Sequence, residues 1–183
     1  MTAQTQSKLN GMCPSAAEAR LGDTLNSLVA TVNALVGGVA NVITTAPTLV
    51  IKAGGGVLVK SSTAFSALVD GGKVSKAANT DMAALVGTLA DTKFAAWAFY
   101  IGPSGTITTS SKTADQTTAA LAIAALPATP ENVAQIGYIT VQNAQGSGTA
   151  FTGGTTALDA TGITTTYYNA VAVDLTIPTL ASR

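Results

Sequence analysis

A chain of 183 residues is long enough to bury one substantial core. Hydrophobic residues make up 47% of it and charged residues only 10%, against about 25% charged in an ordinary soluble domain. It therefore has apolar surface to bury, unlike a disordered chain, and it lacks the charged coat that keeps monomers apart. Nine basic and nine acidic residues cancel without any Lys/Arg cluster, which argues against nucleic-acid binding and against attachment to an anionic membrane.

Residues 1–14 are polar, carry the turn signal Asn10-Gly11 and end at Pro14, so they read as an extended arm or disordered tail. Met1 to Lys8 has no apolar core and does not read as a secretory signal. The single cysteine, Cys13, cannot form an intrachain disulfide and reads as a reduced thiol. Ser15-Ala16-Ala17-Glu18 fits a helix capping box. Leu21, Leu25, Leu28, Val32 and Leu35 then alternate spacings of four and three, the seam of an amphipathic helix over 15–36 that stops at Gly37-Gly38. The seam serves either to pack the helix on its own domain or to meet a neighbouring subunit. The uncharged stretch from Asp23 to Lys52 does not read as a membrane span, because Asn26, Asn33, Asn41, the glycine pair and Pro47 interrupt it.

Residues 37–183 read as a β-rich domain. Strands are expected at Val39–Thr44 and Thr48–Ala53, with a turn at Gly54-Gly55-Gly56 and a return over Val57–Ser62. Ala64–Val69 and Lys73–Ala78 flank the turn Asp70-Gly71-Gly72. Thr80–Leu89 is ambiguous. Lys93–Ile101, with Phe94, Trp97, Phe99 and Tyr100, is the most strand-like segment, and Gly102-Pro103-Ser104-Gly105 turns it into Thr106–Ser110. Ala119–Leu126 is a short helix or a buried strand, ended by Pro127 and Pro130. Ile136–Val141 is a strand, Asn143–Gly148 a loop, and Ile163–Asn169 and Ala170–Ile177 are expected to close the domain. Many short strands at turn spacing indicate a mainly β fold, a β-sandwich or barrel of antiparallel strands with one N-terminal helix.

Little in the chain points to catalysis. Without histidine it lacks the commonest general base and the usual zinc ligand. The acids form no Asp-x-Asp pair or calcium loop, so no metal or cofactor is implied, although two carboxylates could still converge in space as in a glycosidase. Gly54-Gly55-Gly56-Val57-Leu58-Val59-Lys60-Ser61 has Val59 where a phosphate loop needs glycine before lysine, and it reads as a hairpin turn. Trp97, Phe99 and Tyr100 either form a stacking platform or fill the core. Tyr167-Tyr168 should place one ring inward and one outward, the latter at an interface.

The segment from Thr92 to Asn169 carries a resemblance. Phe94–Ile101, the Gly-Pro-Ser-Gly turn, Ala124-Ala125-Leu126-Pro127-Ala128-Thr129-Pro130 and Gln135-Ile136-Gly137-Tyr138-Ile139-Thr140-Val141 occur in that order. Phe151-Thr152-Gly153-Gly154-Thr155-Thr156-Ala157-Leu158-Asp159 and Thr164–Asn169 follow. This succession resembles small virion proteins of tailed bacteriophages: head decoration or cement proteins and related head- or tail-fibre modules. The resemblance implies a β-rich homotrimer made in the host cytoplasm and bound to the major capsid protein on the capsid exterior, with no catalytic residues. The alternatives are a fibre or tail module that binds a host surface receptor and an enzyme with a converged carboxylate site.

Overall fold

The structure, a computed structural model, describes residues 26–27 and 41–172. The chain divides between Val39 and Ala40 into two compact units, and the elements that follow belong to the second. Of the helix expected over 15–36, only Asn26 and Ser27 are described, both helical and exposed. The arm at 1–14 and the seam residues Leu21, Leu25, Leu28, Val32 and Leu35 lie outside the described residues.

The second unit is mainly β, with several antiparallel sheets. Its strands are β1 (Val42–Thr45), β2 (Leu49–Ile51), β3 (Val59–Ser61), β4 (Phe65–Val69), β5 (Gly72–Lys76) and β6 (Thr88–Leu89). They continue with β7 (Lys93–Ile101), β8 (Ile107–Thr109), β9 (Ala134–Asn143), β10 (Phe151–Thr152) and β11 (Ile163–Asn169). One short helix, α1 (Ala119–Ala124), falls between β8 and β9. The largest sheet has the order β11-β9-β7-β8; the others are β1-β4-β5, β2-β3 and β10-β6.

One apolar core joins all four sheets. Ala95, Trp97, Phe99 and Ile101 alternate along one face of β7, and Ile136, Ile139 and Val141 accompany them from β9. Phe65, Ala67 and Val69 of β4, Leu49 and Val59 of the β2-β3 ribbon, and Leu89 and Phe151 of the β6-β10 pair close over them. Trp97 is fully buried, meets Phe151 edge-on at 6.1 Å and donates its Nε1–H to the Val86 carbonyl at 3.0 Å. Trp97, Phe99 and Tyr100 are therefore interior residues and form no exposed platform.

β7 is buried on both faces. Ala96, Ala98 and Tyr100 lie on the side away from the core, where α1 packs against β7 and β9. The ambiguous segment 119–126 is helical because Thr118 caps it, its hydroxyl accepting the Leu121 N–H at 3.2 Å, and because alanine favours helix over strand.

Several expected boundaries move for identifiable reasons. β1 starts at Val42 because Asn41 adopts a positive φ of 63° and its carboxamide oxygen accepts the Asp70 N–H at 2.9 Å. β2 ends at Ile51 because Ala53 already belongs to the glycine turn, with the Gly56 N–H bonded to the Ala53 carbonyl at 2.8 Å. Segment 80–89 is mostly irregular; Met82 and Leu85 drop into the core before β6 forms. Ala170–Ala172 do not continue as a strand, and the rest of the expected Ala170–Ile177 strand lies outside the described residues.

Candidate interaction surface

The tyrosine pair separates as alternation along a strand requires. Tyr167 is half-buried and packs against the core, whereas Tyr168 points to the opposite face of β11. Tyr168 lies opposite Tyr138 of β9, and the two rings stack at 4.6 Å with only 13° between their planes. Thr164 and Thr166 share that face of β11 and are exposed; Gln142 and Thr140 stand opposite them on β9. The result is a neutral surface of hydroxyls beside two stacked phenols.

Of the site residues expected from the sequence, Tyr167 and Tyr168 are the described ones, and the structure adds Tyr138, Thr164 and Thr166. Tyr138 could not be chosen from spacing, because the register Tyr168 to Tyr138 joins strands separated by a long loop. The alternation within Ile163–Asn169 does place Thr164, Thr166 and Tyr168 together.

Two of the described acids hold loops in place. Asp91 accepts three backbone N–H groups, from Thr92 at 2.9 Å, Gly146 at 3.0 Å and Gly148 at 3.1 Å, and so ties the loop after β9 to the start of β7. Both carboxylate oxygens of Asp159 accept the Gly55 N–H, at 3.0 and 2.9 Å. The glycine turn at 54–56 thus joins the antiparallel strands β2 and β3, and a carboxylate occupies its central amide. Asp81 pairs with Lys52 at 2.6 Å. Partial burial pushes the Asp115 carboxyl up, but the Lys112 ammonium, the Ala90 N–H and the charge of Lys93 outweigh it, so its pKa lies below the ordinary carboxylate value.

A cleft lined by Val86, Gly87, Thr109, Ser110, Ser111 and Lys112 opens on the surface. Three of its polar side chains are engaged within the fold. Thr109 donates to the Ala83 carbonyl, Ser110 accepts from the Ala98 N–H, and Lys112 donates to the Thr113 carbonyl and to Asp115. Among the described residues, no group of three or more His, Cys, Asp or Glu could hold a metal ion, and no helix is long and apolar enough to cross a membrane.

No family model matches the chain, no curated protein is significantly similar to it in sequence, and no solved structure matches its fold.

Proposed function

We propose that this chain is a structural virion protein of a tailed bacteriophage, which decorates and stabilises the capsid as a homotrimer bound across neighbouring major capsid subunits. The observation that carries the reading is the surface of β11 and β9. Thr164, Thr166, Tyr138 and Tyr168 present aromatic rings and hydroxyls without charge, the composition of an interface centre. The low overall charge and the virion-like succession from Thr92 to Asn169 support it. Stabilisation by decoration needs no chemistry, because binding the assembled shell and not its separated subunits shifts the equilibrium toward the shell. The site of action is the capsid exterior, after synthesis in the host cytoplasm.

Co-sedimentation with empty phage heads tests this reading. The protein is expected to pellet with heads and to raise the temperature at which they rupture; a protein left in the supernatant at every concentration overturns it. The Tyr138–Tyr168 stack also favours a second reading, a fibre or tail module whose half-buried rings meet a host surface receptor. Binding to intact cells without binding to heads selects that one.

A further inference from the structure

We propose that the outer edge of β11 is a strand-pairing surface whose occupant is β11 of a second copy of this chain. The main-chain geometry defines the edge. The Ala144 N–H donates to the Gly162 carbonyl at 2.7 Å, and the Ala170 N–H donates to the Ile136 carbonyl at 3.0 Å. With Thr164 to Tyr168 in unbroken register on β9, the even-numbered residues direct their main-chain groups at β9. The N–H and carbonyl groups of Thr165, Tyr167 and Asn169 consequently point away from it. Among the described residues, no strand pairs with that side of β11; β2 approaches only its Asn169 end, where the Asn169 carboxamide oxygen accepts the Leu49 N–H at 2.7 Å.

The other edges are short, broken or guarded. β8 has three residues, and beyond it Ser110, Thr113 and Gln116 continue along β7 with main-chain hydrogen bonds to Ala98, Ala96 and Phe94. β5 carries Lys73 and Lys76, and the pairing of β1 is broken by an irregularity between Ile43 and Thr45. Charge, shortness and bulges are the ordinary defences against edge-to-edge association. β11 has none of them: it is seven residues long, uncharged, free of proline and regular in register.

Its composition selects a second copy as the occupant. A strand without charge offers no complement to an acidic or basic peptide, and it opposes no like charges when paired with itself. In an antiparallel arrangement with Tyr167 opposite Tyr167 of the other copy, Thr165 meets Asn169. All three outward residues then exchange main-chain hydrogen bonds. Thr166 comes opposite Tyr168 on the face of the tyrosine stack, a favourable hydroxyl–aromatic neighbour pair. Two four-stranded sheets merge into one. This contact is two-fold, so it is separate from the trimer and does not depend on the capsid reading.

The test is the concentration-dependent mass of the full chain by sedimentation, with Thr166→Lys, Thr166→Glu and an equimolar mixture of the two. The unsubstituted chain is expected to associate through a two-fold step. Each variant alone should weaken that step by about tenfold, and the mixture should restore it at low salt. Slowed amide exchange at Thr165, Tyr167 and Asn169 with rising concentration of the unsubstituted chain supplies a reading that needs no variant. A chain that shows no two-fold step, or whose association is unmoved by both substitutions, overturns the proposal, and so does amide exchange at those residues that ignores concentration. Because Thr166 also lies on the surface assigned to the capsid, the two readings are separated on the unsubstituted chain: a two-fold step without head binding removes the capsid reading and leaves this proposal standing, and head binding without a two-fold step does the reverse.

Discussion

Gly137 lies so close to the main chain of Tyr168 that a Cβ on it would stand 2.4 Å from the Tyr168 carbonyl oxygen and 2.8 Å from Leu49 Cδ1. The same position marks a break in β9. Phe99 pairs with Gly137 and Tyr100 with Gln135, so Ile136 is an extra residue. This bulge lets Ile136 and Ile139, three apart, both face the core. Gly137→Ala is expected to destabilise the fold by about 3 kcal/mol or more, since backbone on one side and core on the other leave no room to relax. Urea unfolding followed by Trp97 fluorescence measures it.

Tyr100 is almost wholly buried beside α1, and its hydroxyl has no hydrogen-bond partner among the described residues. An unpaired buried hydroxyl costs free energy that phenylalanine does not incur. Tyr100→Phe is expected to stabilise the domain by about 1 kcal/mol, read as a melting temperature higher by several degrees. A lower melting temperature would contradict this account of the residue.

The three amides gathered by Asp91 make it the main tie between the loop at 144–148 and the start of β7. Asp91→Ala leaves them to solvent or unpaired and is expected to cost about 2 kcal/mol, whereas Asp91→Asn, which keeps one acceptor oxygen, should cost less. Proteolysis at Gly146–Gly148 is expected to quicken in the alanine variant before global unfolding does.

Burial, and then the nearby negative charge of Asp159, push the Tyr167 phenol above its ordinary pKa. A phenol whose folded-state pKa is raised contributes stability that is fully present below the unfolded value, about 10. That contribution is lost as pH rises through the folded value. Tyr167→Phe should therefore shift alkaline unfolding to higher pH and leave the acid side unchanged, as followed by circular dichroism across a pH series.

At the acid side the sign is opposite. The lowered Asp115 pKa makes its carboxylate stabilising above the ordinary carboxylate range, with loss as pH falls through the folded value. Asp115→Asn is expected to cost about 0.5 kcal/mol at neutral pH, because the pair with Lys112 is partly solvated. The difference should fade in acid, where both proteins lack the charge.

Strand identity was legible where local chemistry is strong. Lys93–Ile101 and Ile163–Asn169 have in the structure the bounds their β-branched and aromatic content implies, and Asp70-Gly71 makes the tight turn its positive φ values require. That one of Tyr167 and Tyr168 turns inward and the other outward follows from alternation alone, and the structure makes Tyr167 the inward one. Segment 80–89 resisted reading because Met82 and Leu85 are buried without periodicity, held by their neighbours and not by a repeating backbone.

By itself, then, the sequence determined the β class, most turns and the lack of charge along β11, because these depend on residues close together in the chain. Only the tertiary structure decided that Tyr138 stacks on Tyr168, that Asp91 and Asp159 hold glycine loops, and that the main-chain groups of Thr165, Tyr167 and Asn169 point away from β9. Each of these depends on register between strands far apart in sequence. A shift of one residue in that register would turn every side chain to the other face, so register is set by the packing of the whole core.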